Sequence, residues 1–416
     1  MKRFLCTICV FVINLCFAEI VQQTKYEKFF DIVEKDCFKF FWELYDETLG
    51  LIPDSSRSGA PCSIAAVGFG LVAFCIGVEH NWVDKNEVYL RIRKTLRTFL
   101  NKVENVNGFF YHFLDMKTGE RVWECEVSTI DTALFLAGAI VAAEYFKGTE
   151  IEEIVNKIYD RINWHWALNN KKVLCMGWKP EVGFLPHYWD TYSEHIILYA
   201  LAIGAEKNAI PVECWHAWRR TKSNYAGFRF VNCPTGSLFT HQYSHAYIDF
   251  RNIVDKHDGT DYFENSKIAT MVNKIFCERR KEKYKSYAEG YWGLSACIGP
   301  DGYKGYGALG YHDGTIAPSA VGGSVMFLPE LCAATLKSMY DKLGSKVYRK
   351  YGFVNGFNLD YDWFCDEHLG IDTGIILLSI ENSRSGFIWK YFMKNKRIQK
   401  FIVECFDKKP TVKGDR

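Results

Sequence analysis

Alternating strand patterns are nearly missing from this 416-residue chain, the clearest being GFRFVN at 227–232. No Pro/Ser-rich stretch divides it and no short-period repeat is visible, so a sheet-built fold and a string of linked domains both lose ground. An excess of either charge is missing too. Lys and Arg number 51 against 49 Asp and Glu, and setting aside Lys2 and Arg3 brings both to 49. Nucleic acid and an anionic membrane surface are therefore poor partners for it. Twelve of the fifteen cysteines lie beyond residue 18, with no C-x-x-C pair and no regular spacing among them. Apolar neighbours, as at Cys75, Cys297 and Cys332, predict buried thiols rather than a disulfide framework or a zinc site.

The first eighteen residues, MKRFLCTICVFVINLCFA, place Lys2 and Arg3 before a short apolar stretch and a small-x-small ending. That is the pattern of a cleaved secretory signal, too short for stable membrane insertion, and it predicts a periplasmic or secreted protein. Lipid attachment at Cys16 is disfavoured by Leu15, where a small residue would stand. A catalytic domain is expected over 19–407, with a polar tail at 408–416.

Aromatic residues are plentiful: 31 Phe, 24 Tyr and 12 Trp, many in polar, Gly-containing stretches such as GFFYHFLD and GYWGLSACIGPDGYKGYG. Aromatic faces beside polar groups suit sugar rings, which stack through C–H faces and hydrogen-bond at their edges. Apolar spacing predicts helices near 25–47, 62–79, 85–104, 128–146, 150–166, 193–205, 211–221, 241–254, 261–282, 318–343, 371–382 and 385–405. A dozen helices with long loops between alternate pairs predict an all-α fold: a single (α/α)6 toroid whose Gly- and aromatic-rich loops meet at one mouth.

Thr191-x-x-Glu194 and Ser128-x-x-Asp131 both carry the spacing of a capping box before an apolar helix, so each acid is a cap or a chemical group. Glu124 and Glu126 precede the second of these. Asp190 and Glu194 are four apart and share one face of a helical turn, with Trp189 and Tyr192 close by. Glycoside hydrolysis needs two carboxyl groups across a sugar, one protonated and one ionised. His241, His245 and Asp249 fall at four-residue steps, a stripe that reads as cleft lining or as metal ligands, although Gln242 stands where H-E-x-x-H would have its Glu. Arg251 is placed to pair with Asp249 or a substrate hydroxyl, and Asp313 to cap or to reach the mouth. GYGALG at 305–310 matches G-x-G-x-x-G without the strand and helix that a dinucleotide site requires. Glu381 near a helix C-terminus opposes the macrodipole, which favours a functional reason for it.

Together SIAAVGFGLVAFCIGVEHNWV, GFFYHFLDMKTGER, STIDTALFLAGAI, DTYSEHIILYALAIG, FTHQYSHAYIDFRNI, DYFENSKIAT, GYWGLSACIGPDGY, DGTIAPSAVGGSVMFLPE and SIENSRSGFIWKYFM resemble the bacterial glucoamylase-like (glycoamylase) domain family, which includes the endo-β-1,2-glucanases of glycoside hydrolase family 144. The resemblance spans roughly Phe29 to Met393. It implies an (α/α)6 toroid that hydrolyses β-1,2-glucan with inversion, without a metal or organic cofactor. It further implies Glu194 as general acid, with Asp131 and Glu126 opposite.

The expectation is thus a glucan hydrolase. Glu194 is enclosed among Trp189, Tyr192 and neighbouring rings, with Asp190 beside it, and Asp131 before Glu126 activates water. His241, Gln242, His245, Asp249, Arg251 and Asp313 bind hydroxyls, and Glu381 joins them. A non-catalytic glucan-binding toroid and a hydrolase of another linkage, α-glucan included, stand as alternatives.

Overall fold

A helix that is apolar on every side can only be stable when it is covered on every side. Two segments of this chain are of that kind. The computed structural model describes residues 25–409, and in it Ile64–Glu79 and Thr129–Tyr145 are helices with almost every side chain buried. Numbered along the chain, the ring-forming helices are α1 (Glu27–Glu43), α2 (Ile64–Glu79), α3 (Lys85–Asn101), α4 (Thr129–Tyr145), α5 (Glu150–Asp160) and α6 (Ile196–Gly204). They continue as α7 (Tyr243–Tyr247), α8 (Tyr262–Glu278), α9 (Pro318–Gly322), α10 (Pro329–Leu343), α11 (Gly370–Arg384) and α12 (Lys396–Cys405).

Burial sorts them into two layers. α2, α4, α6, α7, α9 and α11 are covered on nearly all faces and form the inner ring. α3, α5, α10 and α12 bury one stripe only, as Val88, Ile92, Leu96 and Phe99 do on α3, and lie outside. α1 and α8, with their wider apolar faces, complete the outer layer. The architecture is the predicted (α/α)6 toroid.

Small residues let the inner helices touch. A Cβ on Gly138 of α4 would stand 1.9 Å from the Gly68 carbonyl of α2, so these backbones cross in direct contact. Ring closure uses the same device: a Cβ on Gly374 of α11 would come within 2.5 Å of the Phe69 ring of α2. The outer place beside α6 is filled from the far end of the chain. Glu213–Ala217 is only a short helix there, and α12 docks instead, with the Arg397 carbonyl 2.1 Å from where a Gly204 Cβ would be. Buried Arg397 fixes the dock by donating to Asn156 at 2.8 Å and Asp160 at 3.0 Å of α5.

Several predicted helices are broken or shorter than their patterns: 150–166 divides at 161–163 and 211–221 keeps only Glu213–Ala217. The 318–343 stretch breaks before Pro329, which cannot continue α9. Only Tyr243–Tyr247 of 241–254 is α-helical, after a 3₁₀ turn at Leu238–His241 and before a strand at Ile253–Asp255. The 385–405 stretch divides into Phe387–Phe392 and α12, with Gly386 in the left-handed region ahead of them. GFRFVN does supply a strand: Phe228–Val231 pairs antiparallel with Lys222–Tyr225. Most other strands are two or three residues long and tie the mouth loops together.

The twelve cysteines among the described residues are all buried free thiols. No helix of the described residues is long and apolar enough to cross a membrane. The expected signal at 1–18, Cys16 with it, and most of the expected tail at 408–416 lie outside the described residues; Lys408 itself pairs with Ile253 in a short sheet.

Candidate active site

The N-terminal ends of α2, α4, α6 and α11 all point to one mouth, where two adjoining lobes of roughly 370 and 420 Å³ form a cleft. His112, Asp131, Tyr303 and Ile371 line both lobes, so the cleft is continuous through them.

Asp131 reaches it by way of a helix start. Ser128 caps α4: its hydroxyl accepts from the Asp131 N–H at 3.2 Å and donates to the Asp131 carboxylate at 2.5 Å. This is one half of the capping box that the spacing predicts: the serine caps the helix, but the Asp131 carboxylate takes the Ser128 hydroxyl instead of returning to the Ser128 N–H. Glu126 sits two residues earlier, where Val127–Ser128 pairs with Gly177–Trp178. Gly177 is required there, since a Cβ would stand 2.8 Å from the Glu126 Cγ. On the other side the Glu126 carbonyl accepts from the His112 N–H at 2.9 Å, and the His112 carbonyl accepts from the N–H of Ile64 at the start of α2.

His112 thereby stands between the two acids. Its Nδ1 is 3.0 Å from Glu126 and its Nε2 is 3.5 Å from Asp131, with the ring stacked on Phe113. Burial alone would lower its pKa, but the charges of Asp131, Glu126 and Asp54 outweigh burial and raise it to about 9. The imidazole is therefore cationic at neutral pH. Its hydrogen bond in turn holds the Glu126 carboxyl below the usual range, against the effect of burial.

Glu194 occupies the opposite regime. Burial pushes its pKa up to about 6; the Ser193 hydroxyl bound to its carboxylate opposes the rise, and the Asp131 charge adds to it. Its environment favours the protonated acid while His112 compensates the acids across the cleft, the division of labour that acid/base chemistry requires. Glu194 is not, however, the N3 residue of a capping box. α6 begins at Ile196, and Thr191 bonds Arg219 at 2.8 Å instead. The cap comes from a neighbouring helix: the Ser244 hydroxyl of α7 donates to the Glu194 carbonyl at 2.6 Å and accepts from the Ile197 N–H at 3.0 Å.

The second lobe adds Asp54, Arg57 and Glu367. Ser55 donates to Glu367 at 2.8 Å, and Arg57 lies 3.7 Å from the same carboxylate. Burial lifts Asp54 to about 6, with His112 opposing. Behind Ile371 of the wall, buried Asp372 accepts from Asn355, and burial raises its pKa to about 7. Trp123 and Tyr303, residues 63% and 59% exposed, line this lobe and can offer aromatic faces to a ligand.

The model of the Glycoamylase family, described as "Putative glucoamylase", matches residues 186–396, half of the chain. The chain belongs to the glycoamylase family. A curated relative from Parabacteroides distasonis, an exo β-1,2-glucooligosaccharide sophorohydrolase (non-reducing end), is 26% identical over 90% of this chain. The chain spans 57% of that relative's length. A solved structure from Bacteroides uniformis, described in the same words as the family model, shares 28% identity with a TM-score of 0.88, over 93% of this chain and 99% of its own. The endo-β-1,2-glucanase of Chitinophaga pinensis, solved with sophorotriose and glucose, shares 25% identity with a TM-score of 0.86, over 92% of this chain and 99% of its own.

Of the residues expected in the site of this glycoamylase-family chain, Glu194, Asp131, Glu126 and Trp189 line the cleft, the last with its indole donating to Thr129 at 3.1 Å. The others do not. Asp190 pairs with Arg219 and Tyr192 is buried, its hydroxyl 3.1 Å from His241. The His241–His245–Asp249 stripe fails because the 3₁₀ turn and the five-residue α7 break the register that four-residue steps assume. His245 sits 3.0 Å from Ser266, and Gln242 donates to Ala320 and Ser324, tying α7 to the α9 segment. Asp249 pairs with Arg251, whose guanidinium covers Trp389, and Asp313 closes a turn by accepting from Thr315. Glu381 lies near the C-terminal end of α11, away from the mouth, and contacts His80 just past the end of α2.

His112, Asp54, Glu367, Trp123 and Tyr303 are cleft residues that residue spacing alone misses. The one local signal was GFFYHFLD, where a histidine interrupts a run of aromatics.

Proposed function

We propose that this chain hydrolyses β-1,2-linked glucan at internal bonds with inversion, Glu194 acting as general acid and Asp131 as general base. The observation that carries the reading is one cleft holding a buried carboxyl raised to about 6 together with a second carboxylate whose charge acts on it. The β-1,2-glucan activities of the Parabacteroides and Chitinophaga relatives supply the linkage.

Glu194 gives its proton to the glycosidic oxygen as the C1–O bond breaks. Water attacks C1 from the opposite face and passes its proton to Asp131, so a β-linkage yields an α-anomer. His112 stabilises and orients the Asp131 and Glu126 carboxylates through its two nitrogens. The cleft continues beyond the pair into the second lobe, so a chain can extend past the cut bond, which supports internal cleavage. Trp123 and Tyr303 would stack on sugars there. We also place the enzyme in the periplasm or outside the cell, on the pattern of its first eighteen residues; the N-terminal mass of the exported protein tests this.

Incubation with β-1,2-glucan, β-1,3-glucan and starch, followed by sizing of products and NMR of the first anomer formed, tests the reading. Mixed-length β-1,2-oligosaccharides released first as α-anomers are expected. Release of disaccharide alone removes the internal-cleavage element. Cleavage of starch alone favours the activity in the family description, and binding without products favours a non-catalytic toroid.

A further inference from the structure

At the end of the ring away from the mouth, a second group of ionisable side chains takes no part in the hydrolytic site. Glu34 of α1, His80 just past α2 and Glu381 of α11 meet there, each offering an atom within 4.8 Å of the others. Glu34 is fully buried and Glu381 is 4% exposed. His80 Nε2 is 2.7 Å from Glu381 Oε2, and Ser385 donates to the other Glu381 oxygen. Arg384 binds Glu34 Oε2, yet Glu34 Oε1 is buried with no hydrogen-bond partner.

A carboxylate oxygen removed from water and left unpaired is costly, so a proton or a cation belongs beside it. The surrounding charge favours a cation. Arg384 divides its guanidinium among Glu27, Asp31 and Glu34, and Glu381 brings a further carboxylate up to Glu34. An entry path exists as well, because the His80 side chain is 26% exposed and its ring is held in place by stacking on Trp82.

We propose that Glu34, His80 and Glu381 form a divalent-metal site, taking Zn²⁺ or Mn²⁺, that pins α1, α2 and α11 together where the ring closes. Two carboxylates and one imidazole are a donor set that both ions accept. Each ligand comes from a different helix or its end, so the ion would cross-link α1 and α2 to α11. The role is structural and independent of the substrate.

The test uses tag-free full-length protein stripped with EDTA, then heated with and without ZnCl₂ or MnCl₂, with bound metal counted by mass spectrometry. Near-stoichiometric binding is expected. By size-scaled unfolding entropies, a hundredfold excess over Kd raises Tm by about 3 °C. Glu381→Gln and His80→Asn should each abolish the rise; if the first fails to fold, the variant at the more exposed His80 decides. A wild-type protein that binds neither ion overturns the proposal. So does a rise that survives in His80→Asn, since the metal then sits elsewhere. A metal-insensitive wild type alongside an equally stable Glu34→Gln variant would show that a proton fills the place.

Discussion

Replacing Ser193 with alanine tests the proposed proton-donor role of Glu194 without replacing its carboxyl. Burial raises Glu194 from 4.5 to about 6, and the Ser193 hydroxyl restrains that rise by hydrogen-bonding the ionised form. Hydrogen bonds to charged groups contribute roughly 1.5–3 kcal/mol, and 1.36 kcal/mol corresponds to about one pKa unit. Allowing for water that enters the vacated space, Ser193→Ala should move Glu194 upward by about one unit. A general acid works only while protonated, so wild-type kcat/KM should fall about tenfold per pH unit above pH 6, and the variant should hold its rate to about pH 7. At pH 7 the protonated fraction grows from about one tenth to about one half, so the variant should be up to about fivefold faster there and equal to wild type near pH 5. Initial rates of reducing-end formation on β-1,2-glucan across this range provide the assay. A limb that stays in place or moves down would show that Glu194 does not supply the proton.

Other outcomes follow from the same geometry. His112→Gln leaves Glu126 and Asp131 without the cation between them, and kcat should drop on the order of 10–100-fold with KM little changed; steady-state kinetics separate this from a binding defect, which would raise KM instead. Gly177→Ala forces a Cβ to 2.7 Å from the Val127 carbonyl and 2.8 Å from the Glu126 side chain, so kcat/KM should fall about tenfold through displacement of Glu126. Asp372→Asn should stabilise the protein increasingly as pH rises. Burial holds the native Asp372 pKa at about 7 against 3.8, so the folded state keeps a proton that the unfolded chain releases, and stability is lost between those values and not recovered above them. The amide escapes that loss, and its advantage in unfolding free energy, measured by denaturant melts, should grow from pH 4.5 to pH 8 toward a ceiling of about 4 kcal/mol; an advantage independent of pH would contradict the assignment.

The inner helices were legible because burial on all sides leaves continuous apolar runs, as at 64–79 and 129–145, and the outer ones because a single buried stripe leaves a helical period. Asp131 and Glu126 were legible for a related reason: they sit at a helix start whose serine cap is written in the adjacent residues. The cap of α6 was not, because Ser244 supplies it from fifty residues away. His112, Asp54 and Glu367 belong to loops joined only by short bridges, and no periodicity connects positions so far apart in the chain. The histidine stripe misled because four-residue spacing places side chains on one face only when the helix is unbroken, and here a 3₁₀ turn intervenes. Glu381 is unusual for a helix C-terminus, and its side chain bonds His80 and Ser385 away from the mouth.

The most direct measurement is the turnover of β-1,2-glucan by Glu194→Gln. The carboxylate of Glu194 caps no helix and its carbonyl contact to Ser244 is unaffected by the change, so the variant should fold with a Tm close to that of wild type. An amide cannot donate the catalytic proton, and kcat should fall on the order of 10² to 10⁴-fold. A folded variant that turns over the glucan at the wild-type rate would contradict the account.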